Sequence, residues 1–219
     1  MNRREALTQV SLLLGGALVG ADAFLSGCKN PAGETGLFTA ADLALLDEIG
    51  ETILPATPDS GGARAARVGT FMQSVITDCY TETERKTFSE GLAQLKEACN
   101  RQYKKTFEQL SPAEKAGFLT GLYNEARAYV NTDAYKKAKD QFNQQQDEKT
   151  RAAAAGNDFG ASYLKENYPP HYFTMMRQLT LWGYFSSEVG MTKALRYVET
   201  PGHYNGAYPY KKGDKAWAL

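Results

Sequence analysis

The chain has 219 residues, 42% of them hydrophobic and 23% charged, long enough to bury an ordinary single-domain core without metals or many disulfides. Lysine plus arginine and aspartate plus glutamate stand at 25 each. That balance excludes partners chosen by a basic excess, nucleic acid first among them, and it leaves no acidic tail to hold a segment unfolded.

Residues 1–27 read as an address. Arg3 and Arg4 make a twin-arginine start, and an apolar stretch from Val10 to Leu25 follows. Gly15, Gly16, Gly20 and Asp22 interrupt that stretch, which makes it too weak for a stable spanning helix. It ends at Leu25-Ser26-Gly27-Cys28, a lipobox-like run in which Cys28 is the expected lipidation site and mature N-terminus. The bland alternative is ordinary cleavage, with Cys28 an incidental thiol. The twin-arginine route carries proteins that fold before crossing the membrane, so the expected location is the periplasmic face, with a lipid as anchor. An exported domain without a cofactor motif either folds fast by itself or escorts a folded, cofactor-loaded companion.

Residues 28–37 contain Pro31 and two glycines and predict a tether. The domain, 38–219, is expected to be all-α: about five to six helices followed by an extended aromatic strap. Thr39 with Asp42 predicts the start of the first helix; Leu43, Leu46, Ile49 and Ile53 form its buried stripe, and Pro55 ends it. Pro55–Gly62 is a loop by composition. The second helix is expected over 65–80, with Val68, Phe71, Met72, Val75, Ile76 and Cys79 at helical spacing. The third is expected over 84–107, with Phe88, Leu92, Leu95 and Cys99 inward. Ser111-Pro-Ala-Glu114 is a capping box with proline at the first helical position, and it opens a fourth helix whose face is Phe118, Leu119 and Leu122, with Tyr129 beyond. Residues 131–157 are polar, with Tyr135 and Phe142 the only large apolar groups; they read as a solvated helix or a mobile insertion.

Pro169-Pro170 opens the densest aromatic run. Phe173, Met176, Leu179, Thr180 and Gly183 share one helical stripe, while Trp182, Tyr184 and Phe185 lie partly off it. A short helix that is apolar around most of its girth must be covered, by its own core or by a partner. Beyond Val198, prolines, glycines and tyrosines predict a strap laid over a surface.

Candidate chemistry is sparse. His171 and His203 are the only histidines, and neither has metal-ligand spacing. No dinucleotide, covalent-haem or nucleophile-elbow motif is present, so the expectation is no catalytic, cofactor or metal residues and no enzyme activity in the chain by itself. Glu188 and Arg196 are the expected structural ion pair across Gly190. Cys79 and Cys99 are either a disulfide or two buried thiols. An unbroken third helix would carry Cys99 ~20 Å past the turn, whereas a bridge needs α-carbons within ~7 Å.

Leu179-Thr-Leu-Trp-Gly-Tyr-Phe-Ser-Ser-Glu-Val-Gly190, Ala194-Leu-Arg-Tyr197 and Pro201-Gly-His-Tyr-Asn-Gly-Ala-Tyr-Pro-Tyr210 resemble the C-terminal hallmark of the gluconate 2-dehydrogenase subunit 3 family. Phe38-Thr-Ala-Ala-Asp-Leu43 and Thr52-Ile-Leu-Pro-Ala-Thr57 resemble its N-terminal hallmarks. The resemblance implies a small, helical, non-catalytic subunit beside a large FAD-bearing oxidoreductase of the glucose–methanol–choline type, with a c-type cytochrome carrying haem c often completing the complex. It also implies that the small subunit bears the export signal for both. The resemblance rests on these hallmarks and leaves segment 131–157 unaligned. On this reading Tyr172, Trp182, Tyr184, Phe185, Tyr204, Tyr208 and Tyr210 contain the partner anchors, the alternative being that individual rings among them belong to the core. Two rival classes stand beside it: an independent periplasmic sugar enzyme, and a lipid-anchored sugar-binding or scaffold protein.

Overall fold

The structure is a computed structural model that describes residues 36–156, 165–200, 202–203 and 205–218. Arg3, Arg4, Cys28, most of the tether and Tyr204 lie outside the described residues. The described domain is helical, as its periodicity predicts: α1 (Ala40–Ile53), α2 (Val68–Cys79), α3 (Glu82–Tyr103), α4 (Pro112–Tyr129), α5 (Asp133–Ala155) and α6 (Tyr172–Phe185), with a π turn at Gly190–Ala194.

Capping fixes most of the starts. Thr39, Thr81 and Ser111 each accept a hydrogen bond from a backbone N–H three residues on, while Asp42, Glu84 and Glu114 reach back to the cap. The first turn of α2 has no such cap of its own. Asp47 on α1 supplies one, its Oδ1 accepting from Gly69 N at 2.7 Å. That explains why α2 begins at Val68 and not at Ala65: residues 62–67 run as successive tight turns, and Arg67 adopts a left-handed φ of 52° before the helix starts. Likewise α3 stops at Tyr103 because Lys104 turns left-handed at φ 56°. Phe107, expected at the end of α3, sits instead in a 3-10 turn with its ring buried.

The aromatic helix α6 is the hub, packing against α1, α2, α3 and α4. Its predicted stripe is confirmed, since Phe173, Met176, Leu179, Thr180 and Gly183 are all buried. Around it lie Leu46 and Ile49 of α1, Met72 and Ile76 of α2, and Phe88 and Leu95 of α3, each completely enclosed. Glycines permit the closest approaches. A Cβ on Gly91 of α3 would stand 2.1 Å from the Tyr172 ring, and one on Gly183 would stand 2.6 Å from Phe71. Ion pairs tie the edges: Glu48 of α1 accepts from Lys115 of α4 at 2.6 Å and also pairs with Arg64 in the turn before α2.

The polar segment 133–155 is a 23-residue helix, about 35 Å long at 1.5 Å per residue. It packs on its own return segment and meets α4 through the rings of Tyr135 and Tyr129, 5.0 Å apart. Tyr135, Phe142 and Gln146 share its inner face; Tyr168 lies edge-on to Tyr135 at 5.3 Å and to Phe142 at 5.6 Å. Gln146 accepts from Glu166 N, and Lys165 pairs with Asp147 at 2.7 Å. Of the two sequence alternatives, the helix is the one observed.

Of the two alternatives for the cysteines neither holds in full: Cys79 and Cys99 are both free thiols, with Cys99 buried on the inner face of α3 but Cys79 exposed at the end of α2. The uninterrupted run of α3 accounts for the missing bridge, since it carries Cys99 away from the α2–α3 turn. One expected ion pair is corrected: Arg196 does not pair with Glu188. Its guanidinium meets Asp214 at 2.9 Å, because the tail folds back to reach it.

Candidate partner-docking site

The C-terminal end of α6 carries two exposed aromatic side chains, Trp182 and Phe185. Phe71, half-buried on α2, receives the edge of Trp182 at 5.2 Å in a T-shaped contact. Trp182 remains 55% exposed, and Phe185 on the next turn is 39% exposed. A lone exposed ring is ordinary on a protein surface, but a tryptophan and a phenylalanine at the end of one helix, backed by a third ring, make an apolar patch. The helix cannot turn Trp182 inward, because its inner stripe is already filled by Leu179 and Gly183.

The loop after α1 is anchored beside this patch. Glu51 accepts from Ala56 N and Arg64 N, each at 2.9 Å, which pins both ends of the Pro55–Gly62 loop. The Tyr184 hydroxyl donates to the Gly61 carbonyl at 2.8 Å and lies 2.7 Å from Ser60 Oγ. Past α6 the chain reverses at Gly190, where a Cβ would stand 1.9 Å from the Tyr184 carbonyl oxygen, so no other residue fits the turn. The two family-like hallmarks, around Thr52–Thr57 and Leu179–Gly190, therefore meet at one end of the bundle.

The described part of the tail returns to Arg196 near its end. Arg196 N donates to the Ala216 carbonyl at 2.8 Å, and Ala218 N donates to the Arg196 carbonyl at 2.7 Å. Within the loop the Arg196 guanidinium stands 5.2 Å from the Trp217 ring and 5.8 Å from the Tyr208 ring, while the two rings meet edge-on at 5.2 Å. Asp214 completes the arrangement. The Lys211 N–H and the Arg196 guanidinium hold its carboxyl below the ordinary carboxylate value.

Of the seven aromatic residues predicted as anchors, the six that the structure describes divide. Trp182, Phe185, Tyr208 and Tyr210 are exposed. Tyr172 is buried against Gly91, with its hydroxyl pushed up to about 12, mainly by burial. Tyr184 is buried and spent on holding the loop. Both belong to the core, and neither is available to a partner in this conformation. Phe71 and Trp217 are the residues sequence reasoning missed. Phe71 matched the core stripe of α2, and only its position beside the small Gly183 brings it out to Trp182.

Among the described residues, no group of three histidine, cysteine or carboxylate side chains is placed to hold a metal ion, and no helix is long and apolar enough to cross a membrane. His171 caps α6, its Nδ1 accepting from Phe173 N at 3.2 Å. His203 is exposed.

No curated protein and no solved structure matches the chain. Residues 40–202 match the family described as Gluconate 2-dehydrogenase subunit 3. The match begins at the first residue of α1 and runs through α6 and the Gly190 turn into the tail loop. The chain belongs to the gluconate 2-dehydrogenase subunit 3 family.

Proposed function

We propose that this protein is the non-catalytic small subunit of a periplasmic, membrane-associated FAD-dependent gluconate or sugar dehydrogenase. It stabilises the flavoprotein subunit and escorts it through twin-arginine export. Membership in a family of dehydrogenase-complex subunits supports a multi-subunit assembly. The observation that carries the reading is the Trp182–Phe185–Phe71 patch: large rings, held rigidly by α6 and α2, facing outward beside an anchored loop. Aromatic anchors on rigid elements supply most interface energy at little entropic cost.

In this reading the partner is a glucose–methanol–choline-type oxidoreductase that holds FAD, and a c-type cytochrome with haem c takes its electrons. Arg3 and Arg4 provide the export signal for the pair, and a lipid on Cys28 holds it at the periplasmic face. The chain's own task is to cover an apolar surface of the flavoprotein. Co-expression of both subunits tests this. The flavoprotein should reach the periplasm only with the small subunit present, and Arg3→Lys with Arg4→Lys should retain both in the cytoplasm. Export of the flavoprotein without the small subunit would overturn the escort role.

A further inference from the structure

A second site lies at the opposite end of α6, where α3 and α4 meet the segment entering that helix. It is a cleft of about 270 Å³, close to the lower limit of ~300 Å³ for small-molecule pockets. The walls are aromatic. Tyr129 and His171 meet at 5.4 Å, His171 and Tyr172 at 4.4 Å, and Tyr168 closes the side facing α5. Glu90 and Glu125 also line it, and no lysine or arginine does. Lys86 approaches Glu90 only from one turn away at 3.9 Å, with both groups well exposed.

His171 gives the cleft its polarity. Only 8% of its side chain is exposed. Because Nδ1 accepts from Phe173 N, the ring proton is on Nε2. Among the described residues Nε2–H has no hydrogen-bond acceptor. Glu125 Oε1, its nearest carboxylate oxygen, stands 4.0 Å away, too far for a hydrogen bond. That donor keeps solvent contact in the cleft, so a ligand oxygen can reach it in place of water.

We propose that this cleft binds a compact organic cation that also carries a hydroxyl group. The cation would lie against the tyrosine rings between Glu90 and Glu125, and the hydroxyl oxygen would accept from His171 Nε2–H. Cation–π attraction and the two carboxylates act on the same charge. A neutral polyol would gain only the hydrogen bonds, and an acidic ligand would be repelled. The inference does not depend on the partner reading above.

The test is titration calorimetry of the full chain with choline, with 3,3-dimethylbutan-1-ol (its uncharged carbon isostere), with tetramethylammonium and with glucose. Choline is expected to saturate one site, and the isostere to bind at least about tenfold more weakly. Glu125→Gln and Glu90→Gln, both at exposed carboxylates, should each weaken choline by about tenfold with helicity unchanged. His171→Asn keeps an acceptor for Phe173 N but loses the Nε2 donor, so it should weaken choline while leaving tetramethylammonium unaffected. Equal binding of choline and its isostere would mean an apolar slot, preference for glucose would mean a polyol site, and no heat from any probe would mean no site. Each of those results overturns the proposal.

Discussion

Replacing Trp182 by alanine tests the docking patch with the greatest leverage. The side chain is 55% exposed, so a partner has ~140 Å² left to cover on a residue that buries up to ~250 Å². At ~25 cal/mol per Å², covering that surface is worth at most ~3.5 kcal/mol, or roughly 300-fold in affinity. Within the folded chain the variant also loses the ~110 Å² already covered, including the edge contact with Phe71, worth at most ~3 kcal/mol at the same coefficient. Affinity and stability must therefore be read separately. Titration of the flavoprotein subunit with wild-type and Trp182→Ala chains, beside thermal melts of each chain alone, separates the two effects. A loss of ~30-fold or more in affinity, from a chain that still folds with a melting point lowered by at most ~10 °C, is expected. Unchanged affinity would place the interface elsewhere, and an unfolded variant would show that Trp182 is held by the core more firmly than its exposure indicates.

Three further outcomes follow from the geometry. Gly91→Ala should destabilise the chain by about 1–3 kcal/mol in urea unfolding, because the added methyl overlaps the Tyr172 ring and neither α3 nor α6 has room to shift. In the folded protein a thiol reagent should label Cys79 at once and Cys99 only after unfolding, since burial both shields the Cys99 thiol and pushes its pKa up; the intact mass should not change on reduction. Burial also pushes His171 below its ordinary value of 6.5, with Glu125 acting weakly in the opposite sense. The unfolded chain then binds that proton more readily than the folded one. Stability should fall as pH drops through 6.5 and level off once the folded imidazole is itself protonated. In His171→Asn that slope should shrink, as measured by urea midpoints across the range.

The helical fold was legible because each element announces itself locally. Thr39 and Ser111 with their acidic partners three residues on fix two starts, and apolar spacing identifies the inward faces of α1, α3 and α6. What escaped was tertiary. Nothing local in Ala65–Arg67 reveals that the cap of α2 comes from Asp47, twenty-two residues earlier. Nothing local in Lys104 reveals a left-handed stop. The aromatic run was legible as a run and not residue by residue, since composition cannot separate Tyr184, buried with its hydroxyl on the Gly61 carbonyl, from Phe185, which stays 39% exposed. The pairing of Arg196 with Asp214 required the tail to close on itself, and a run rich in proline and glycine carries no periodicity to signal closure. The hub role of α6 was the feature read most directly, because a helix apolar on several sides has few alternatives to burial.

The central claim is that this helical domain works as the companion of a flavin enzyme. Purifying the full chain from its native host under gentle conditions and recording the visible spectrum of the product tests it most directly. A yellow complex in which a larger FAD-bearing polypeptide accompanies this chain and oxidises gluconate or a related sugar is the expected result. A colourless, solitary chain that carries out the oxidation unaided would contradict it.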